Sequence, residues 1–192
     1  MPVLLRLREP APSIFLIVLT VAVLFMRRPD QFWHPYIWVE DGYYTLRFSL
    51  EDGWRTIFAP LAGYLCVASK LIGYAAYRIS ILWAPEIELA LTVAFTSAVV
   101  AAVAYSPTHL RWPFLCAVAV LFVPTDSEVF AVSAYAFWWA GLLMFLALLW
   151  DTARGREWLR WSFIVFGGLS SPLGRHPAPA LPVARDRGSG LE

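Results

Sequence analysis

The feature that most limits what this chain can become is a set of apolar runs of helix length that are almost free of charge. Residues 11–26, APSIFLIVLTVAVLFM, hold no charged side chain, with Arg6 and Arg8 before them and Arg27 and Arg28 after. Residues 87–105 are nineteen in number with a single charge near the entry, and 128–150 run to a basic stretch of Arg154, Arg156 and Arg160. Crossing a hydrocarbon core takes roughly 20 apolar residues of helix, so these runs are expected to cross a membrane. A cleaved signal would show small residues just after its apolar run. Phe25, Met26 and two arginines stand there instead, so 11–26 is read as a retained first helix. Residues 112–123, between Pro107 and Pro124, are short and would cross only with tilt or local thinning. Residues 161–171 start a fifth helix. Residues 172–192 are too rich in proline and glycine to continue it and read as a disordered or truncated tail, with a linker-like GSGLE at the end.

Between the first two runs, 27–56 interleave charge with aromatic rings: Arg27, Arg28, Asp30, Glu40, Asp41, Arg47, Glu51, Asp52 and Arg55 among Trp33, Tyr36, Trp38, Tyr43, Tyr44 and Trp54. This predicts a loop with short interfacial helices. Residues 57–83 are apolar but carry Lys70 and Arg78, and could span or lie flat. Short loops rich in arginine and lysine stay in the cytoplasm, and that rule favours the flat placement. Arg6, Arg8, Arg111, Arg154, Arg156 and Arg160 then share the inner side, whereas a crossing at 57–83 would put the Arg154 cluster outside. The expectation is a domain over 1–171 with its N-terminus in the cytoplasm, a multi-pass position in the cell membrane, and an external loop over 27–86.

Composition agrees. Of 192 residues, 59% are hydrophobic and 15% charged, against roughly 25% charged in soluble domains. A net charge of +1 gives no footprint for nucleic acid. Ten tryptophans suit helix ends at headgroup level. Cys66 and Cys116 lie far apart in apolar stretches and read as small buried hydrophobes. His34, His109 and His176 form no ligand spacing, so no histidine metal site is expected. Nothing in the sequence sets an oligomeric state.

The stretch that can carry chemistry is FWHPYIWVEDGYYTLRF, with adjacent Glu40 and Asp41, followed eleven residues later by Glu51-Asp52-Gly53. Eleven residues are about three helical turns, so both pairs would share a face if one helix ran through, although Gly42 argues against continuity. Acids at a bilayer edge are partly desolvated, which raises a carboxylate toward the range of a general base. A pair could also hold a divalent cation; otherwise no cofactor is indicated. The plain alternative is that these are loop acids balancing Arg27, Arg28 and Arg47. Lys70 could meet a lipid phosphate or snorkel to headgroups. Tyr64 and Trp54 could stack on a sugar or anchor the segment at the interface. Asp126 and Glu128 are expected as helix-start charges.

The run VEDGYYTLRFSLEDGWRTIFAPLAGYL resembles the first external loop of bacterial multi-pass proteins built like GT-C glycosyltransferases. The likeness rests on Trp38, Glu40, Asp41, Gly42, Gly53, Trp54, Ile57, Phe58, Pro60, Ala62, Gly63, Tyr64 and Leu65. It implies an all-α polytopic fold and transfer of a sugar from a polyprenyl-phosphate carrier to an extracytoplasmic acceptor, with Asp41 first and Glu40 second for the acid role. Membrane lipid and the lipid-linked donor are the partners it implies. The family's polar NxQW-like element in a later helix corresponds here to Tyr135, Ala136, Phe137 and Trp138, without the asparagine and glutamine. The chain also holds fewer helices than such enzymes, so an N-terminal part, an inactive relative, or a non-catalytic protein binding lipid or a partner stand as alternatives.

Overall fold

The computed structural model describes residues 10–61 and 63–171, and among these the fold is all-α with no strand. The tail expected over 172–192 lies outside the described residues. Eight α-helices follow in order: α1 Pro10–Arg27, α2 Pro29–Trp33, α3 Arg47–Asp52, α4 Val67–Ile79, α5 Ala84–Tyr105, α6 Pro113–Leu121, α7 Ala136–Leu148 and α8 Glu157–Ser170.

The central element is α5, which packs against α1, α4, α6 and α7. It is 22 residues long and, by length and composition, is the one described helix that meets the full requirement for crossing a membrane. Prolines at the first positions of α5 and α6 start them where a missing N–H costs nothing. In α1, Leu16, Thr20, Val23 and Leu24 are buried at helical spacing, and the Thr20 hydroxyl donates back to the Leu16 carbonyl at 2.7 Å. That stripe meets Val99, Val100 and Val103 of α5, Ala117 and Leu121 of α6, and Trp139, Leu143 and Leu146 of α7 in one core. The outer face of the same helices is apolar as well: Ile14, Phe15 and Val18 on α1 are 58, 54 and 61% exposed, and Phe145 and Leu148 on α7 are 53 and 78% exposed.

Two ends of the bundle differ in chemistry. At one, the turn after α5 is stitched to the turn after α7: His109 N–H donates to the Leu149 carbonyl at 2.9 Å and Asp151 N–H to the Pro107 carbonyl at 2.8 Å. Trp150 lies over Gly155 so closely that a Cβ there would fall 2.2 Å from the indole nitrogen. Arg111, Arg154, Arg156 and Arg160 belong to this end by their place beside these turns. At the other, Arg27 closes α1 over the Phe130 ring, 4.8 Å to its centroid. Arg28, 5% exposed, holds Asp30 at 3.0 Å and the Tyr36 hydroxyl at 2.8 Å. The hydrogen bonds of α4 all go to residues of this second, acid-bearing end: Ala68 N–H to Ser170 Oγ at 3.0 Å, Ser69 Oγ to the Ala134 carbonyl at 3.0 Å, and Tyr77 to Glu88 at 3.4 Å.

Two helix expectations change. The run 128–150 yields an α-helix only from Ala136 to Leu148. Ala131 sits at a left-handed φ of 58°, and Ser133 and the Ala134 N–H are spent on distant carboxylates. Side-chain partners of this kind compete with helical pairing. Asp126 therefore caps a short 3-10 turn, accepting from Glu128 N–H at 3.1 Å, and starts no long helix. The run 112–123 gives the nine residues of α6. At 1.5 Å per residue that is roughly 14 Å, under half of a bilayer core.

Candidate functional site

The acidic loop builds its inward face with a change of helical pitch. Asp41–Leu46 is a π-helical stretch that leads directly into α3, with Arg47 N–H reaching back to the Gly42 carbonyl. The wider turn brings Asp41 and Thr45 inward, 2 and 3% exposed, while Tyr43 stays outside. Thr45 seats on α4 because residue 73 is glycine: a Cβ there would meet Thr45 Cγ2 at 2.7 Å. The expected shared face of the two acid pairs is thus not formed. Inserting a π stretch shifts the register, so Glu51 and Asp52 are exposed, and the helix that runs through Gly42 turns them away.

Asp41 enters a pocket of carboxyl chemistry assembled from distant parts of the chain. Its Oδ2 accepts the Ala134 N–H at 3.0 Å. Its Oδ1 is buried and meets no N–H or O–H donor. Its side-chain neighbour is Glu88, from the first turns of α5, which is within hydrogen-bonding range and 6% exposed. Glu88 in turn accepts from the Ser133 hydroxyl at Oε1 and from Tyr77 at Oε2. Neither carboxylate forms an ion pair among the described residues. Burial first, and the negative charge of Glu88 second, push the Asp41 carboxyl well above the ordinary 3.8. Two facing carboxyl oxygens bond to each other only when one carries a proton.

Asp41 also lines a cavity of about 180 Å³ together with Glu40, Tyr44, Tyr64, Cys66 and Lys70. Glu40 is at the exposed mouth. Lys70 is 3% exposed, its ammonium donates to the Ala59 carbonyl, and no carboxylate pairs with it among the described residues. Burial pulls the Lys70 ammonium below its ordinary 10.5 and lifts the neighbouring Cys66 thiol to about 11. On its far side Asp41 borders a void of about 10 Å³, shared with Gln31, Trp38, Glu88, Thr92 and Ser133, which is near the space of one water.

The structure therefore gathers Asp41, Glu40, Tyr64 and Lys70, all expected from the sequence. Lys70 does not snorkel outward; its side chain is buried, lines the cavity and donates to the Ala59 carbonyl. Trp54 is not gathered. It is 59% exposed, rests edge-on against Phe58 at 6.3 Å and lines no part of the cavity, because the 3-10 turn Gly53–Phe58 buries Thr56 and Ile57 instead. Tyr135 and Phe137, from the stretch without the family's amide residues, do line it. Glu88, Ser133 and Tyr77 were missed. The available signal was a lone acid inside an otherwise apolar run, which is costly unless it serves a purpose. Glu40 and Asp41 part company, one exposed and one turned to Ala134 and Glu88. Among the described residues no group of three or more His, Cys, Asp or Glu side chains is placed to hold a metal ion. Comparison of the chain with protein-family models, curated proteins and solved structures finds no match.

Proposed function

We propose that this chain is a multi-pass membrane protein of GT-C type, or the N-terminal part of one, that moves a sugar from a polyprenyl-phosphate carrier to an acceptor outside the cytoplasm. The observation that carries the reading is the placement of Asp41. Of the loop acids, it is the buried one that lines the cavity, and a buried lysine with no carboxylate partner among the described residues shares that cavity. In this reading Asp41 takes the proton of the acceptor hydroxyl as the hydroxyl oxygen attacks the anomeric carbon. Lys70 faces the phosphate that leaves with the bonding electrons. Holding both reactants in line supplies much of such a rate.

Three features support the membrane placement. The outer faces of α1 and α7 are apolar far beyond what a water-facing surface tolerates. Acids outnumber bases at the end that holds Asp41, whereas Arg111, Arg154, Arg156 and Arg160 outnumber Asp151 and Glu157 at the other, the bias that the positive-inside rule asks for. The hydrogen bonds of α4 stay at the acid-bearing end, in keeping with a segment that does not cross. An apolar cavity of about 520 Å³, lined by Val120, Val123, Val129, Trp138 and Leu142 with Asp126 and Glu128, shares Tyr135 with the polar one and supports a substrate with a lipid tail.

The test is sugar transfer in proteoliposomes from a polyprenyl-phosphate donor, comparing the natural chain with Asp41→Asn and Glu40→Gln. Loss in the first and retention in the second is the expected result, and unchanged transfer by Asp41→Asn would remove the acid from the mechanism. A second reading, a lipid-binding protein without catalysis, is favoured by one observation. A carboxyl that holds a proton is a donor before it is a base, and Asp41 is built to hold one. Saturable lipid binding with no transfer by the intact chain would select that reading.

A further inference from the structure

We propose that Asp41 and Glu88 work as one proton-holding unit: they share a single proton, and Glu88 receives it whenever Asp41 accepts another from the cavity side. The proposal rests on the functional reading above for its catalytic half, and on geometry alone for the sharing.

Three observations lead to it. First, the two oxygens of Asp41 face different ways. Oδ2 sits on the Ala134 N–H, whereas Oδ1 is buried without a hydrogen-bond partner, and the side chains beside the carboxyl are those of Glu88 and Ser133. Second, the oxygens of Glu88 are supplied with hydroxyl donors, Ser133 from the segment before α7 and Tyr77 from α4. Donors of this kind favour the charged form, so of the two Glu88 is the better placed to carry the charge and Asp41 the proton. Third, Glu88 borders the small void with Asp41 but lines no part of the 180 Å³ cavity. It can act on a reactant only through Asp41, which makes it a positioning residue.

The titratable groups facing the pair are few. Tyr77 comes from α4, Tyr36 borders the void but is tied to Arg28 and Asp30, and Glu40, Tyr44, Tyr64, Cys66, Lys70 and Tyr135 line the cavity with Asp41. No arginine or lysine is in ion-pair contact with either carboxylate among the described residues, so a proton is what offsets their mutual repulsion. The step balances as follows. The hydroxyl O–H of the acceptor breaks as an O–H forms on Asp41, the O–H already on Asp41 breaks as one forms on Glu88, and the unit passes from one negative charge to none. The leaving phosphate takes the bonding pair from the anomeric carbon, and the extra proton returns to water.

Two measurements on the full chain in proteoliposomes test this. Dicyclohexylcarbodiimide modifies protonated carboxyls in apolar surroundings, and its site is read by peptide mass. The natural chain is expected to label at Asp41 or Glu88 at neutral pH. In Glu88→Gln the pH of half-labelling at Asp41 is expected to fall by about one unit or more, because the like charge is gone. An unchanged half-labelling pH overturns the proposal, whether or not the protein transfers sugar. The second measurement is the pH profile of transfer. Glu88→Gln is expected to lower kcat about tenfold or more and move the acidic limb, while KM stays within about twofold. Glu88→Asp, which keeps the carboxyl, recovers part of the rate. A raised KM with natural kcat and profile overturns the relay and makes Glu88 a substrate contact. If Glu88→Gln does not fold, Glu88→Asp carries both readouts, with a shifted half-labelling pH and a displaced acidic limb expected and natural values overturning the proposal. Should labelling behave as expected while the natural chain transfers nothing, proton sharing stands and both the relay and the glycosyl-transfer reading fall.

Discussion

The tripeptide Glu-Asp-Gly occurs twice in one loop, at 40–42 and 51–53, and the two copies have opposite fates. In the first, Asp41 is 2% exposed and bonded to a backbone N–H far along the chain. In the second, both acids are exposed, and Glu51 meets only Arg47 one helical turn away at 3.0 Å, itself an exposed pair. The glycines differ too. Gly42 lies inside the helix, whereas Gly53 ends it at φ +61°. Identical residues thus give a buried carboxyl in one place and a solvated helix end in the other. The difference is made by what lies opposite: Ala134, Ser133 and Glu88 for the first copy, water for the second.

The comparison can be broken most directly by exchanging carboxyl for amide in each copy. Asp41→Asn should lower sugar transfer by about 10²-fold or more, the usual yield of a positioned base, while Asp52→Asn stays within about twofold. Equal losses would mean that burial of Asp41 has no bearing on the chemistry.

The glycines give a smaller effect, read as thermal unfolding in detergent. Gly53→Ala should cost about 1–3 kcal/mol, since its backbone lies where side chains are strained. Gly42→Ala should be neutral or stabilise by about 0.5–1 kcal/mol, because its new Cβ meets only Ile37 Cγ2 at 3.7 Å.

The acids should also differ in how pH acts on stability. Folding raises the Asp41 carboxyl above its ordinary 3.8, so the native state holds the proton more tightly than the unfolded chain does. Stability from this group is complete below that value and is lost as pH climbs toward the raised one. Melting temperature should therefore fall with rising pH above the ordinary carboxylate range, and Asp41→Asn should flatten the slope. Asp52→Asn should leave it as it was. Asp30, held low by its hydrogen bonds from Arg28, acts in the opposite sense at the acidic end of the scale.

Smallest of all is Arg47→Ala. Its pair with Glu51 is solvated on both sides, and exposed pairs of this kind are screened by water and salt. No measurable change in melting temperature is expected; a clear drop would show that the second copy is more than a solvated helix end.

Much of the helical order was legible. The bounds of α1 and the ends of α5 and α8 follow from apolar runs punctuated by proline and arginine, signals that act locally, whereas α5 and α8 start three and four residues ahead of the runs at 87 and 161. The start of α7 was not legible, because Ser133 and the Ala134 N–H serve Glu88 and Asp41, and such pairings span 45 and 93 residues. Asp41, Glu40, Tyr64 and Lys70 stood out by type and place. Trp54 misled because an aromatic ring beside a motif carries no sign of which way its turn will face. Glu88 passed as a helix-entry charge, and only the fold puts it against Asp41. The π stretch, which decides which acids point inward, has no residue signature in the sequence.

The stitched turns at the arginine end have a mechanical meaning. With Pro107 and His109 bound to Asp151 and Leu149, and Trp150 pressed on Gly155, α5 and α7 are clamped at one extremity. The other extremity has no such stitching by backbone hydrogen bonds, and there Glu88 of α5 meets Ser133 in the turn before α7. A parting of the helices at that extremity would separate Glu88 from the hydroxyl that holds it.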